Sequence, residues 1–297
     1  MRIGLVGVGT MGSQICAALV KGGFEVIARD IKPEAEERGR CLGAVVVDSA
    51  AAVSREADVI LLSLPWPQDV EDVVTGSDGV LAGAQAGLVI ADMSTVDPAT
   101  TRRMAAMAVS KQVGYVDAPV LGRPQSCGRW TLPCGGTEDA LEKVRPVLET
   151  LAQRIMPVGV VGSGNIVKLL NNLMFGAINA ITAEVMGLCA KTGMEPGVFF
   201  EAVSGSGAAT VSNLFLELGP KMLAHDWEVK FSVDLLYKDN LLGFLMGQEY
   251  GTPMPISQAV HLVNEMARAA GYGPLDTSAV VQLYEEMLNL SVQTQEP

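Results

Sequence analysis

The chain opens on an apolar run, residues 1–6 (MRIGLV), that breaks at Gly7-Val8-Gly9-Thr10-Met11-Gly12 and resumes with Ile15, Ala18 and Leu19 at helical spacing. That is a strand, a glycine turn and a helix. In such a turn the first glycine makes the tight bend, the second lets the main chain approach a pyrophosphate, and the third lets the helix pack close to the strand. The same alternation of strand and helix continues. Residues 24–28, 44–47, 58–64, 87–93 and 113–116 read as strands, and residues 33–40, 70–74 and 98–108 as helices between them. Short, mostly apolar strands separated by helical segments predict a parallel sheet with crossover helices, wound in both directions.

Beyond Gly162-Ser163-Gly164 the pattern changes. Residues 165–191 contain no proline, and Ile166, Leu169, Leu170, Leu173, Met174 and Ala177 recur at helical spacing. Residues 196–203, 234–250, 256–270 and 278–288 also read as helices. The pattern predicts an α/β Rossmann-type N-terminal domain over residues 1–162 and an all-α C-terminal domain over 163–297, with a frayed tail from 291. The apolar stretch 173–190 is interrupted by Asn179, Thr182 and Glu184, which makes it a buried helix rather than a membrane span.

Composition narrows the partners. A net charge of −12 with no basic stripe argues against nucleic acid, because phosphate would be repelled. The five cysteines show no metal-ligand or disulfide pattern, so no metal is expected and a reducing, cytoplasmic compartment fits. The N-terminus enters a strand at once, without a signal-peptide pattern. The two histidines, His225 and His261, have no carboxylate at useful spacing and read as structural, so proton chemistry falls to another residue type.

Asp30 ends the second strand, 18 residues after Gly12. There a carboxylate either accepts from ribose hydroxyls and repels a 2′-phosphate, favouring NAD over NADP, or simply faces water. Arg29 beside it offers the opposite preference. Leu64-Pro65 and Ser94-Thr95 follow strand ends, where they either line the cofactor crevice or serve only as a turn and a helix cap. In GSGNIVKLLNN, residues 162–172, Lys168 and Asn172 share a helix face, with Asn165 and Asn171 close to it. A desolvated lysine has a lowered pKa and can exchange a proton near neutral pH, and Asn172 could orient the same oxygen. The alternative is a solvated lysine flanked by capping asparagines.

Five ordered blocks carry a resemblance over essentially the whole chain. They are GLVGVGTMG near the start, DMSTVDP at 92–98, DAPVLG at 117–122, GSGNIVKLLNN at 162–172, and the pair Lys238-Asp239 in YKDNLL. The chain resembles the β-hydroxyacid dehydrogenases, the group containing 3-hydroxyisobutyrate dehydrogenase and tartronate semialdehyde reductase. The resemblance implies an NAD(P)-dependent oxidoreductase acting on a small 3-hydroxy acid or its semialdehyde, with the active site in the cleft between its domains. It implies Lys168 as catalytic acid/base with Asn172 at the substrate. With Gly7, Val8, Gly9, Thr10, Met11, Gly12, Asp30, Leu64 and Pro65 already expected at the cofactor, it further implies Thr95 and Lys238 there, Asp239 holding Lys238 or the adjoining helix, and Phe231 closing over the substrate. A homodimer or homotetramer through the helical domain is implied as well.

One block departs from the family. Where members commonly read DAPVSGG, this chain has Leu121-Gly122-Arg123, losing a serine hydroxyl and gaining a forked cation suited to carboxylate, sulfonate or phosphate. The Gly-Arg pair resembles the loop of sulfolactaldehyde reductase, so Leu121, Gly122 and Arg123 are expected at the substrate's anionic end unless Arg123 points to solvent. The expected substrate is a small anionic hydroxy acid or semialdehyde, with a sulfonated short aldehyde as the alternative. Lys168 counts against an imine reductase, and the chain is short for a phosphogluconate decarboxylase. A non-catalytic NAD(P)-binding module would predict loss of the lysine and a basic reader domain, and neither is seen.

Overall fold

The computed structural model describes residues 1–207 and 210–294. Two compact units emerge, Met1–Leu169 and Leu170–Pro297. The first alternates β1 (Arg2–Val6), α1 (Thr10–Lys21), β2 (Glu25–Arg29), α2 (Pro33–Cys41), β3 (Val45–Val46), α3 (Ala50–Glu56), β4 (Val59–Leu62), α4 (Pro67–Thr75), α5 (Val80–Gly83), β5 (Val89–Asp92), α6 (Pro98–Val109) and β6 (Gly114–Asp117). It ends with β7 (Trp130–Gly135), α7 (Glu138–Leu148) and β8 (Ala152–Gly159).

The strands form one sheet in the order β3-β2-β1-β4-β5-β6-β7-β8. From β3 to β6 all pairs are parallel, and chain order reverses between β1 and β4, the switch point at which such sheets open a crevice beyond the strand ends. Alternate residues feed two cores. Val59 and Leu61 enter the one with Ile3, Leu5, Ile15 and Leu132, while Ile60 and Leu62 enter the one with Ile90, Met104 and Tyr115. Burial on both faces explains why these strands read as unbroken apolar runs.

The parallel sheet expected from the sequence is present from β3 to β6, and β7, a strand the pattern does not predict, joins β6 antiparallel through Asp117 and Gly135. Strands β7 and β8 and helices α3 and α7 stand where the sequence pattern predicts nothing. Pro133, Pro146 and Pro157 interrupt three of these elements.

The second unit holds most of α8 (Ser163–Lys191), then α9 (Pro196–Ser204), α10 (Asn213–Ala224), α11 (Val233–Glu249), α12 (Pro255–Ala269) and α13 (Val281–Leu288). The first unit runs to Leu169, so α8 begins in the first unit and continues into the second. By length and composition α8 could cross a membrane. Its Asn165, Asn172, Asn179 and Thr182 are nevertheless buried within protein, while Leu170, Met174, Ile181 and Leu188 are exposed, so the helix is buried along one side only.

The tail is not frayed where it is described. Val292 is fully buried and Thr294 N–H donates to Leu223 O at 3.0 Å; residues 295–297 lie outside the described residues. Both histidines also have carboxylate neighbours that the sequence reading overlooked. His225 Nε2 lies 2.9 Å from Glu285 and His261 Nε2 lies 3.7 Å from Glu265.

Candidate active site

The glycine turn joins β1 to α1 with three glycines doing three different things. Gly7 has φ +95°, and a Cβ there would stand 2.2 Å from Ser63 O. A Cβ on Gly12 would stand 1.9 Å from Gly7 O, so α1 rests directly on the turn. Gly9 differs, since no atom lies within 4 Å of where its Cβ would be. Its bareness leaves space for something other than protein. Thr10 and Met11 begin α1, which has no side-chain cap and no acidic residue in its first turn. Uncapped N–H groups beside an open glycine fit a pyrophosphate, so the residues present suit a bound dinucleotide.

Asp30 stands at the end of β2 with both oxygens held by main chain. Oδ2 accepts from Val8 N–H at 2.6 Å and Oδ1 from Lys32 N–H at 2.9 Å. Arg29 is committed elsewhere, donating to the Asp30 carbonyl and pairing with Glu36. Leu64 N–H donates to Ser94 Oγ at 3.0 Å, which ties together the loops leaving β4 and β5; Pro65 is exposed and Thr95 half-buried in those loops. Neither Ser94 nor Thr95 caps α6. Asp97 does, accepting from Thr100 N–H at 2.8 Å.

Lys168 lies in the second turn of α8, and its Nζ donates to Val120 O at 2.8 Å. That places its amine beside the loop carrying Leu121, Gly122 and Arg123. The loop is pinned from below by Trp130, fully buried, whose Nε1 donates to Arg123 O at 2.8 Å and whose Cδ1 would lie 2.4 Å from a Cβ on Gly122. Two of the loop amides expected to grip an anion are already engaged. Leu121 N–H donates to Thr131 O at 3.0 Å and Arg123 N–H to Ser126 Oγ at 3.1 Å. Among the described residues none takes the Gly122 N–H, and Gly122 is exposed.

The first turn of α8 is anchored on two sides. Asn165 Nδ2 donates to Thr101 Oγ1 at 3.2 Å and its Oδ1 accepts from Val96 N–H at 3.2 Å. Asp117 accepts from Gly162 N–H at 2.7 Å and Asn165 N–H at 2.8 Å. Burial pushes Asp117 up to about 6, with the Asp92 carboxylate adding to the rise and the two N–H donors opposing it. Tyr115, donating to Asp92 at 2.8 Å, is raised well above its usual range by burial and the same carboxylate. Asp117 does not stand out by spacing. Its signals are an acidic residue closing an apolar strand and its place at the head of the DAPVLG block, neither of which names its partners.

In the helical unit Asn172, Lys238 and Asp239 come together, all nearly inaccessible. Asn172 Nδ2 donates to Asp239 Oδ2. Lys238 Nζ lies 2.8 Å from Asp239 Oδ1, an ion pair in which that oxygen is out of line for a hydrogen bond. Two residues absent from the sequence reading extend this cluster. Asn240 Nδ2 donates to Asn172 O at 2.8 Å, and Asn264 Nδ2 donates to Asn240 Oδ1 at 3.2 Å. Phe231 packs edge-on against Phe175, ring centres 5.6 Å apart.

The chain is similar to known proteins over both of its halves. Residues 2–162 match the family described as the NAD binding domain of 6-phosphogluconate dehydrogenase, and residues 162–284 the one described as NAD-binding of NADP-dependent 3-hydroxyisobutyrate dehydrogenase. The chain is 34% identical to 2-(hydroxymethyl)glutarate dehydrogenase of Eubacterium barkeri, covering 98% of this chain and 97% of that protein. It is 31% identical to 3-sulfolactaldehyde reductase of Escherichia coli, over 94% of each. The crystal structure of 3-hydroxyisobutyrate dehydrogenase from Salmonella typhimurium superposes with a TM-score of 0.87 at 26% identity, covering 95% of this chain and 99% of that one. With both halves matched and the dinucleotide turn intact, the chain belongs to the β-hydroxyacid dehydrogenase family and is an NAD(P)-dependent oxidoreductase.

Proposed function

We propose that the protein interconverts a short, strongly anionic 3-hydroxy acid and its aldehyde with NAD(H), and that Lys168 is the general acid/base. The carrying observation is the Lys168 amine at Val120 O, one residue ahead of Leu121-Gly122-Arg123. When bound, NAD(P) supplies or accepts the hydride. Lys168 takes the hydroxyl proton in oxidation and returns it to the aldehyde oxygen in reduction, a transfer contributing about 10²–10⁴-fold in rate. Asn172, one turn further along α8, orients that oxygen, and Phe231 closes over the substrate. Gly7 to Gly12, Leu64, Pro65, Thr95 and Lys238 serve the cofactor, with Asp239 holding Lys238.

The NAD preference rests on Asp30, whose carboxylate would repel a 2′-phosphate, and on Arg29 being paired with Glu36. Gly122 N–H and the Arg123 side chain receive the anionic end. The names of the two relatives above support a second carboxylate or a sulfonate on the substrate, since 2-(hydroxymethyl)glutarate is a dicarboxylate and 3-sulfolactaldehyde a sulfonate. The exposed Leu170, Met174, Ile181 and Leu188 of α8 support assembly with a second copy.

The test is NADH and NADPH turnover with malonate semialdehyde, succinate semialdehyde, 2-formylglutarate, 3-sulfolactaldehyde and glyceraldehyde 3-phosphate, repeated with Lys168→Ala. The expected result is NADH-dependent reduction that the variant loses by about 10²–10⁴-fold in kcat, with NADH affinity nearly intact. An unchanged kcat in the variant, or no turnover of any aldehyde, removes the reading.

A further inference from the structure

We propose that Asp117 is a positioning residue for Lys168: its carboxylate fixes the first turn of α8 on the carboxyl end of β6 and thereby sets where the lysine amine stands. This rests on the role given to Lys168 above.

The contacts close a ring. From Asp117 the chain runs through Ala118 and Pro119 to Val120, whose carbonyl accepts from Lys168 Nζ. From Lys168 one turn of helix leads back to Asn165, and Gly162 stands just before the helix; the N–H groups of both end on Asp117. The amine and the substrate loop are therefore held in register through one carboxylate. The surroundings leave no slack. A Cβ on Gly164 would stand 2.4 Å from Pro133 O and 2.8 Å from Asp117 O, and one on Gly135 would stand 2.5 Å from Asp117 Oδ1. These two glycines let the helix, β6 and β7 approach closely enough for the carboxylate to reach both donors.

Stability alone would not select this residue. A helix start is satisfied at low cost by a neutral serine, threonine or asparagine cap, whereas Asp117 is fully buried and faces a second carboxylate. The titratable groups around it are Asp92 on β5, Tyr115 on β6 and Cys134 on β7. None of the three offers a positive charge to offset it. What the carboxylate supplies, and a neutral amide cannot, is two acceptor oxygens for two N–H groups. Protonation removes one acceptor and the attraction to the helix N-terminus. Because burial holds Asp117 near 6, that loss occurs just below neutral pH.

The experiment is aldehyde reduction by the full-length enzyme at saturating NADH between pH 5 and 8, with the panel aldehyde of highest kcat/KM. Wild type and Asp117→Asn are compared. Lys168 acts in its protonated form in this direction, so its own titration gives only an alkaline limb. Wild type is expected to lose kcat through an acid limb near pH 6. Asp117→Asn is expected to be about 10–100-fold slower at pH 8, with KM for NADH unchanged, no acid limb, and rates meeting wild type near pH 5. Equal kcat at pH 8, or an unaltered acid limb in the variant, overturns the inference. Should the variant not fold, a wild-type profile flat from pH 5 to 7 overturns it alone. Lys168→Ala separates the two readings: turnover there removes the role of Lys168 itself, while an inactive Lys168→Ala beside a wild-type-like Asp117→Asn removes only the positioning role.

Discussion

In the unit spanning Met1–Leu169 the acidic groups at the strand ends are held by main chain. Asp30 rests on the Val8 and Lys32 amides, and Asp117 on those of Gly162 and Asn165. In the unit spanning Leu170–Pro297 one group of buried polar residues holds its own members together, although Asp276 there also rests on main-chain N–H groups. Asn172, Lys238, Asp239, Asn240 and Asn264 form one connected cluster across α8, α11 and α12. Asp30 and Asp117 each tie a loop or a helix start to a strand end, through N–H groups that are present whatever the neighbouring side chains are. In the cluster most partners are themselves side chains, so each member depends on the next.

The sharpest way to break this contrast is Asp239→Ala. Lys238 and Asn172 would keep their burial and lose the carboxylate they share. Removing one partner of a buried pair costs about 3–5 kcal/mol. Urea unfolding followed by far-UV circular dichroism should show that loss. A loss under about 1 kcal/mol would mean that the cluster is no more interdependent than a surface pair.

Asp117→Asn sharpens the other side of the comparison through its pH dependence. The folded protein holds the Asp117 proton up to about pH 6, above the range of an ordinary carboxyl in the unfolded chain. Folding therefore binds the proton more tightly. The contribution is full below the unfolded value and is lost as pH rises through about 6. Wild type should gain on the variant by up to about 3 kcal/mol between pH 7 and pH 4, read as the difference in urea midpoints. A difference that does not move with pH would place Asp117 in an ordinary environment.

The same contrast explains what the sequence could show. The glycine turn is legible because its requirements are local: Gly7 needs a positive φ, and Gly12 must let α1 touch Gly7 O. Lys168 is legible as a charge in an apolar helix. Asp117 is not, because its donors lie 45 and 48 residues away and only the folded sheet brings them near. Asn240 and Asn264 are hidden for the same reason, since polar positions at helical spacing look like a solvated face until a neighbouring helix covers them. Among the elements, β7 escapes because Pro133 and Gly135 break its pattern, and β8 because most of its residues are not buried. Helix α10 escapes because Pro220 stands inside it.

The smallest effect tests the turn itself. Gly9→Ala places a methyl where no protein atom lies within 4 Å, and Gly9 has φ −68°, open to any residue. Folding stability should therefore stay within about 0.5 kcal/mol of wild type by thermal melting. The methyl would nevertheless stand where a pyrophosphate must approach the main chain, so NADH affinity should fall by about tenfold in a fluorescence titration. Gly12→Ala gives the contrasting case, since its Cβ would collide with Gly7 O at 1.9 Å and disturb fold and cofactor together. Unchanged NADH affinity in Gly9→Ala would mean that the open space above Gly9 is not where the phosphates rest, and would leave Asp30 as the residue from which the cofactor's position has to be argued.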